Sequence, residues 1–299
     1  MSKLKPIPTA LLKDFLFCKE FVRSHSENFP VGSLLAPRRL RPHLHAIYAF
    51  ARSADDFADL PGRNAQSRLQ LLDSWSQRLI KAEADIPDHP IFNALSYTIR
   101  ATKLPTLPLH HLLTAFRMDV TNKRYDTLEE LFDYCHYSAN PVGRILLHLA
   151  NEQIYEVAAP TPAKFLLSDA ICTALQLTNH LQDLGEDSWS GRPLYIPKEK
   201  MQKFDVDEQM ILSRRFSPNI GHLMLEMIAI TRELFYTGEP LLHTVPWPLN
   251  LELSFIWESG MNVLDLIEES GGNTLRVRPN LSTKGRFACF RKALQRVLS

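Results

Sequence analysis

Pro160-Thr161-Pro162 followed by AKFLLSDAICTALQLTNHLQDL (163–184) is the stretch that decides the fold. Its apolar residues recur every three or four positions, and it runs several times longer than a strand. Paired prolines at its front suit a helix start, where a missing N–H costs nothing. The pattern predicts one long helix over 163–184. The same spacing recurs outward in both directions, and strand-like alternation is scarce.

Toward the N-terminus, Thr9 is the expected cap of a helix running through Phe15, Phe17 and Phe21 toward His25. A loop over 27–41 holds Pro30, Gly32 and Pro37. Pro42 then opens a helix carrying Leu44, Ile47, Tyr48, Phe50 and Ala51 toward Leu60, which Pro61-Gly62 ends. Helices are expected at 65–82, 89–102, 108–123 and 127–138. Asn140-Pro141 breaks the next pattern, which resumes through Leu146, Leu147 and Leu149; the NEQ at 151–153 marks a helix end. Beyond the long helix, Pro193, Pro197 and the polar run before Met210 read as a loop, and helices follow at 219–236, 249–269 and 282–298. The expectation is an all-α fold in one domain over 1–299, with helices packed on helices.

Composition narrows the function. The 34 Lys and Arg against 33 Asp and Glu leave a net charge of +1, so an electrostatic grip on nucleic acid is not expected. Only 11 of 299 residues are glycine, and no GxGxxG occurs, which disfavours a glycine-cradled nucleotide site. The four cysteines (18, 135, 172 and 289) form no CxxC pair and no disulfide framework. A cytoplasmic protein is expected: no signal-peptide core precedes Lys13-Asp14, and no apolar run approaches the roughly 18 residues of a membrane span.

Two acidic stripes break the apolar rule. In YAFARSADDFAD (48–59), Tyr48, Arg52, Asp55 and Asp59 are spaced four, three and four and lie on one helix face. Like charges so placed oppose each other by about 0.2–0.5 kcal/mol on an isolated helix, and by more where water is excluded. Gln176, Asn179, Asp183 and Asp187 form a second stripe on the long helix, and Glu186 could add an oxygen. A polar stripe on a core helix needs a wet or ion-filled surrounding. One DDxxD alone reads most simply as a solvated face; two stripes together point to Mg²⁺. That ion takes one or two carboxylates and completes its shell with water and substrate phosphate. Arg52 would offer a fixed cation to a phosphate oxygen.

These residues resemble the squalene/phytoene synthases, the head-to-head trans-isoprenyl diphosphate synthases. The likeness covers roughly residues 20–295 and rests on YAFARSADDFAD (48–59), DYCHYSANPVGR (133–144) and QLTNHLQDLGEDSWSGRPLYIP (176–197). It implies the isoprenoid-synthase fold and Mg²⁺ held by Asp55, Asp59, Asp183 and Asp187. It also implies substrate contacts from Tyr48, Arg52, Gln176 and Asn179, and from His25, Ser26 and Asn28 near diphosphate. Phe29 would lie against isoprenoid, and Tyr134 near the reacting carbons. Residues 25–56 and 116–135 look closest to the bacterial hydroxysqualene synthase branch.

That branch implies ionisation of presqualene diphosphate, rearrangement of the carbocation, and capture by water without NADPH. Presqualene diphosphate, dehydrosqualene or phytoene synthesis is the alternative within the family. A non-catalytic assembly-factor relative is another, although such relatives tend to lose the aspartates kept here. Two departures stand out: Gln182 where many relatives have Arg, and Gly260 where many have Tyr. Both are consistent with an enzyme that starts from one preformed intermediate.

Phe50, Tyr134 and Leu175 could wall a carbocation or simply pack a core. His180, off the acidic stripe, reads as a packed or surface histidine. His43, His45, His110 and His111 form no metal pattern. The basic run from Arg276 to Arg296, interleaved with Leu281, Phe287, Phe290, Leu294 and Val297, is either a solvated face on a docked helix or a peripheral contact with anionic lipid.

Overall fold

The computed structural model describes residues 4–25, 37–121, 124–150, 160–190 and 193–298. Every regular element among them is helical. The chain divides into two compact units, one drawn from 1–121 and 144–161, the other from 122–143 and 162–299.

The first unit contains α1 (Leu12–Ser24), α2 (Arg41–Ala58), α3 (Ala65–Glu83), α4 (Pro90–Thr102) and α5 (Leu107–Val120). Proline stands in the first turn of α2, α4 and α5, and Asn64 caps α3 by accepting from the Ser67 amide at 2.8 Å. Thr9 does not cap α1. It begins a single 3₁₀ turn, Thr9–Leu11, after Pro8, and no side chain caps either start. The core meets at Phe50, Trp75 and Phe92, whose rings lie 4.6–6.5 Å apart. Phe50 is fully buried there, so it is a packing residue of this core, not a cavity wall. His43 is buried too. Its ring bonds the Thr98 hydroxyl at 2.9 Å, and desolvation lowers its pKa to about 4, which keeps it neutral.

The second unit contains α6 (Leu128–Ser138), α8 (Pro162–Ser190), α9 (Lys198–Lys203), α10 (Glu208–Leu212), α11 (Pro218–Gly238), α12 (Leu249–Glu269) and α13 (Thr283–Leu298); α7 (Asn140–Leu149) begins in this unit and ends in the first. Helix α8 is the long helix of the sequence pattern, but it runs six residues past Leu184. The expected loop before Met210 contains the short helix α9 and the start of α10. Ile171, Ala174, Leu177 and Leu181 of α8 are buried, and α8 packs against α11 and α12. Two glycines set how closely segments approach it. A Cβ on Gly238 would stand 2.8 Å from the Leu167 carbonyl oxygen, and one on Gly185 would stand 2.4 Å from that of Leu275. No helix among the described residues is long and apolar enough to cross a membrane.

Candidate active site

On α2 the acidic stripe forms as its spacing predicts, with Ala46, Ala49, Phe50 and Ala54 buried behind it. Arg52 Nε donates to Asp56 Oδ1 at 2.9 Å, and its Nη1 lies 3.4 Å from Asp55 Oδ2. Asp59 closes the helix as its C-cap, its amide donating to the Asp55 carbonyl at 3.0 Å, and its side chain is exposed. Asp55 keeps 38% of its side-chain exposure, yet its pKa is pushed up from 3.8 to about 6. Desolvation is the largest cause, followed by the charge of Asp59; Arg52 opposes the shift, and Asp119 of α5 adds to it. A carboxylate raised by its neighbours' negative charge is a place where a cation is favoured.

His25 caps the end of α1 and reaches the same motif. Its Nδ1 bonds the Phe21 carbonyl at 2.8 Å, its ring stacks on Phe21 at 4.3 Å, and Nε2 lies 3.3 Å from Asp56 Oδ2. Ser26, Asn28 and Phe29 lie outside the described residues, as does the NEQ at 151–153.

On α8, Gln176, Asn179, Asp183 and Asp187 now stand on one continuous helix, because α8 extends through Ser190. Asp187 is buried, Asp183 is partly buried, and Glu186 is 66% exposed. Arg278, from the segment between α12 and α13, donates through Nε to Asp183 Oδ1 and lies 3.8 Å from Glu186. Beside this stripe is an aromatic group. The His180 ring stacks on Tyr195 at 3.8 Å, and Tyr134 lies 5.3 Å from Tyr195 and 5.4 Å from Tyr125. With the Gln176 amide donating, His180 accepts at Nε2 over 3.3 Å. Desolvation lowers the His180 pKa to about 3, so it is a neutral, packed ring.

Sequence spacing missed Asp56, Asp119, Tyr195 and Arg278. Asp56 was visible as the second residue of the Asp55-Asp56 pair, and Asp119 and Tyr195 lie within stretches that carry the family resemblance, whereas Arg278 comes from a distant segment that no spacing links to Asp183. Among the described residues no group of three or more His, Cys, Asp or Glu side chains converges as a metal cage. Each acidic stripe instead offers carboxylates in pairs.

The squalene/phytoene synthase family model matches residues 22–284. The chain belongs to the squalene/phytoene synthase family. As a member it is an enzyme of prenyl diphosphate chemistry. It is 33% identical over 258 residues to the hydroxysqualene synthase of Sinorhizobium fredii, covering 86% of this chain and 84% of that one. Against the hydroxysqualene synthase of Rhodopseudomonas palustris it is 33% identical over 234 residues, covering 77% and 75%. Among solved structures, squalene synthase HpnC from Alicyclobacillus acidocaldarius matches with a TM-score of 0.81 at 36% identity, over 89% of this chain and 97% of that one.

Both departures from the squalene/phytoene synthase pattern have a physical setting. Gln182 is buried; its amide donates to the Pro279 carbonyl and lies 3.4 Å from Asn280 Oδ1, which also receives Arg278 Nη1. It thus ties down the segment that carries Arg278. At Gly260 a Cβ would stand 2.5 Å from Phe235 Cζ and 3.2 Å from Leu175, so Phe235 occupies the space a larger residue would take.

Proposed function

We propose that this enzyme converts presqualene diphosphate to hydroxysqualene with Mg²⁺, and that both acidic stripes serve that one reaction. The observation that carries the reading is the polar face of α8, Gln176-Asn179-Asp183-Asp187, on a helix most of whose other positions between Ala170 and Gly185 are buried. The names of the two hydroxysqualene synthase relatives support the choice of product.

The donor set fits the ion. Asp55 with Asp59, and Asp183 with Asp187, each give the one or two carboxylates that Mg²⁺ accepts when phosphate and water fill its shell. When bound, Mg²⁺ supplies neutralising charge to a departing diphosphate. Arg52, held by Asp56, presents a pre-oriented guanidinium to a phosphate oxygen. Gln176 and Asn179 donate amide hydrogens along the same face as Asp183.

Loss of diphosphate takes the bonding electron pair with it and leaves a cyclopropylcarbinyl cation, which rearranges. In this reading Tyr134, Tyr195 and neutral His180, grouped beside the α8 stripe, would offer aromatic surface to such a cation, an attraction that an imidazolium would forfeit. Water then adds through oxygen and loses a proton. The test is incubation of the purified protein with presqualene diphosphate and Mg²⁺, with and without NADPH. Hydroxysqualene and diphosphate are expected in both. Untouched presqualene diphosphate together with condensation of farnesyl diphosphate would overturn the proposal.

A further inference from the structure

Helix α13 turns two opposite faces to its surroundings. Cys289 and Ala293 are buried, and on that side Cys289 Sγ lies 3.6 Å from the Glu258 carbonyl of α12, with Arg296 bonded to the Glu258 carboxylate at 2.9 Å. Phe287, Phe290, Leu294 and Leu298, spaced three, four and four, share the other face. They are 71%, 41%, 39% and 77% exposed, and Val277, just ahead of the helix, is 70% exposed.

Charge surrounds this stripe. From Ser270 to Ser299 the chain has seven Lys and Arg residues and no Asp or Glu. Arg278, Lys292 and Arg296 engage carboxylates elsewhere in the unit. Arg276, Lys284, Arg286 and Arg291 are exposed and make no ion pair among the described residues. Lys284 and Arg291 flank the apolar stripe directly.

We propose that this face of α13 is a docking surface for anionic lipid, holding the enzyme in the plane of a membrane surface. An apolar stripe flanked by Lys and Arg is the form of helix that lies in a bilayer interface, with its rings among the acyl chains and its cations at the headgroups. A second copy of this chain fits less well. Symmetric self-association would set Lys284 and Arg291 of one copy close to the same cations of the other. The inference concerns residues other than those of the acidic stripes and holds whichever isoprenoid the enzyme makes.

Cosedimentation of the full chain with phosphatidylcholine vesicles, with and without phosphatidylglycerol, tests it. Binding is expected only when phosphatidylglycerol is present, and it should weaken with added salt. A Phe287→Ser/Leu298→Ser variant and a Lys284→Glu/Arg291→Glu variant should each bind at least about 100-fold more weakly. Helical circular dichroism and turnover of detergent-dispersed substrate should not change, because these side chains are exposed and lie outside the proposed site. Failure of the wild type to bind the anionic vesicles overturns the proposal, as does equal binding by both variants. So does a lipid-free dimer that the Phe287→Ser/Leu298→Ser change dissolves, since the stripe would then be a subunit interface.

Discussion

Asp55 sits where its own charge is costly, first because burial strips it of water and then because Asp59 and Asp119 repel it, with Arg52 offsetting part of that cost. Its pKa of about 6, raised from 3.8, fixes a sign. Between about pH 4 and 6 the folded protein holds a proton that the unfolded chain has released, so this group's contribution to stability falls as pH rises through that window. Asp55→Asn removes the repulsion. The metal-free variant should therefore melt above the wild type at neutral pH, and the gap should close below about pH 4 in thermal unfolding. A lower melting temperature at neutral pH would show that the carboxylate is not held against its neighbours. Arg278 makes the opposite case, as the cation beside Asp183. Arg278→Ala leaves Asp183, Glu186 and Asp187 without it, so Mg²⁺ alone should raise the melting temperature of the variant more than that of the wild type. An equal rise in both would mean that Arg278 does not share the ion's place.

At the scale of elements, periodicity carried most of the fold. Helix α12 has the limits its pattern predicts, and α3, α4, α6, α11 and α13 fall within two residues of theirs. Misses came where local signals compete. Thr9 has the right chemistry for a cap but follows Pro8 and enters a 3₁₀ turn. The last turns of α8, Gly185 to Ser190, lie past the expected end at Leu184, where the apolar spacing gives way to polar residues. Their backbone stays helical, and Gly185 lets the Leu275 carbonyl approach the helix where a Cβ would collide. The acidic residues were legible because α2 and α8 are regular. The aromatic and arginine partners were not, since Tyr195 and Arg278 arrive from irregular segments whose course no spacing rule fixes.

Gly185→Ala tests this reading of α8. Alanine gains up to about 1 kcal/mol of helix propensity over glycine, but a collision with backbone costs about 1–3 kcal/mol. Net destabilisation in denaturant unfolding is expected, and a more stable variant would contradict it. Asn64→Ala should cost about 1 kcal/mol through loss of the α3 cap, and leave turnover unchanged.

At the scale of the molecule, a chain of near-zero net charge sorts its charges by place. Carboxylates gather on one face of α2 and one face of α8, while cations gather after Ser270. The central proposal is that both acidic faces serve the same reaction. The most direct measurement is Mg²⁺-dependent release of diphosphate from presqualene diphosphate by the wild type, Asp55→Asn, Asp183→Asn and the double variant, each checked for an intact helical signal. Groups that act as a unit lose most of the rate when any one is removed. Each single change is expected to lower turnover by at least about 1,000-fold, with the double variant little worse than either. Full activity in both single variants, or mild losses that simply multiply in the double variant, would contradict the account.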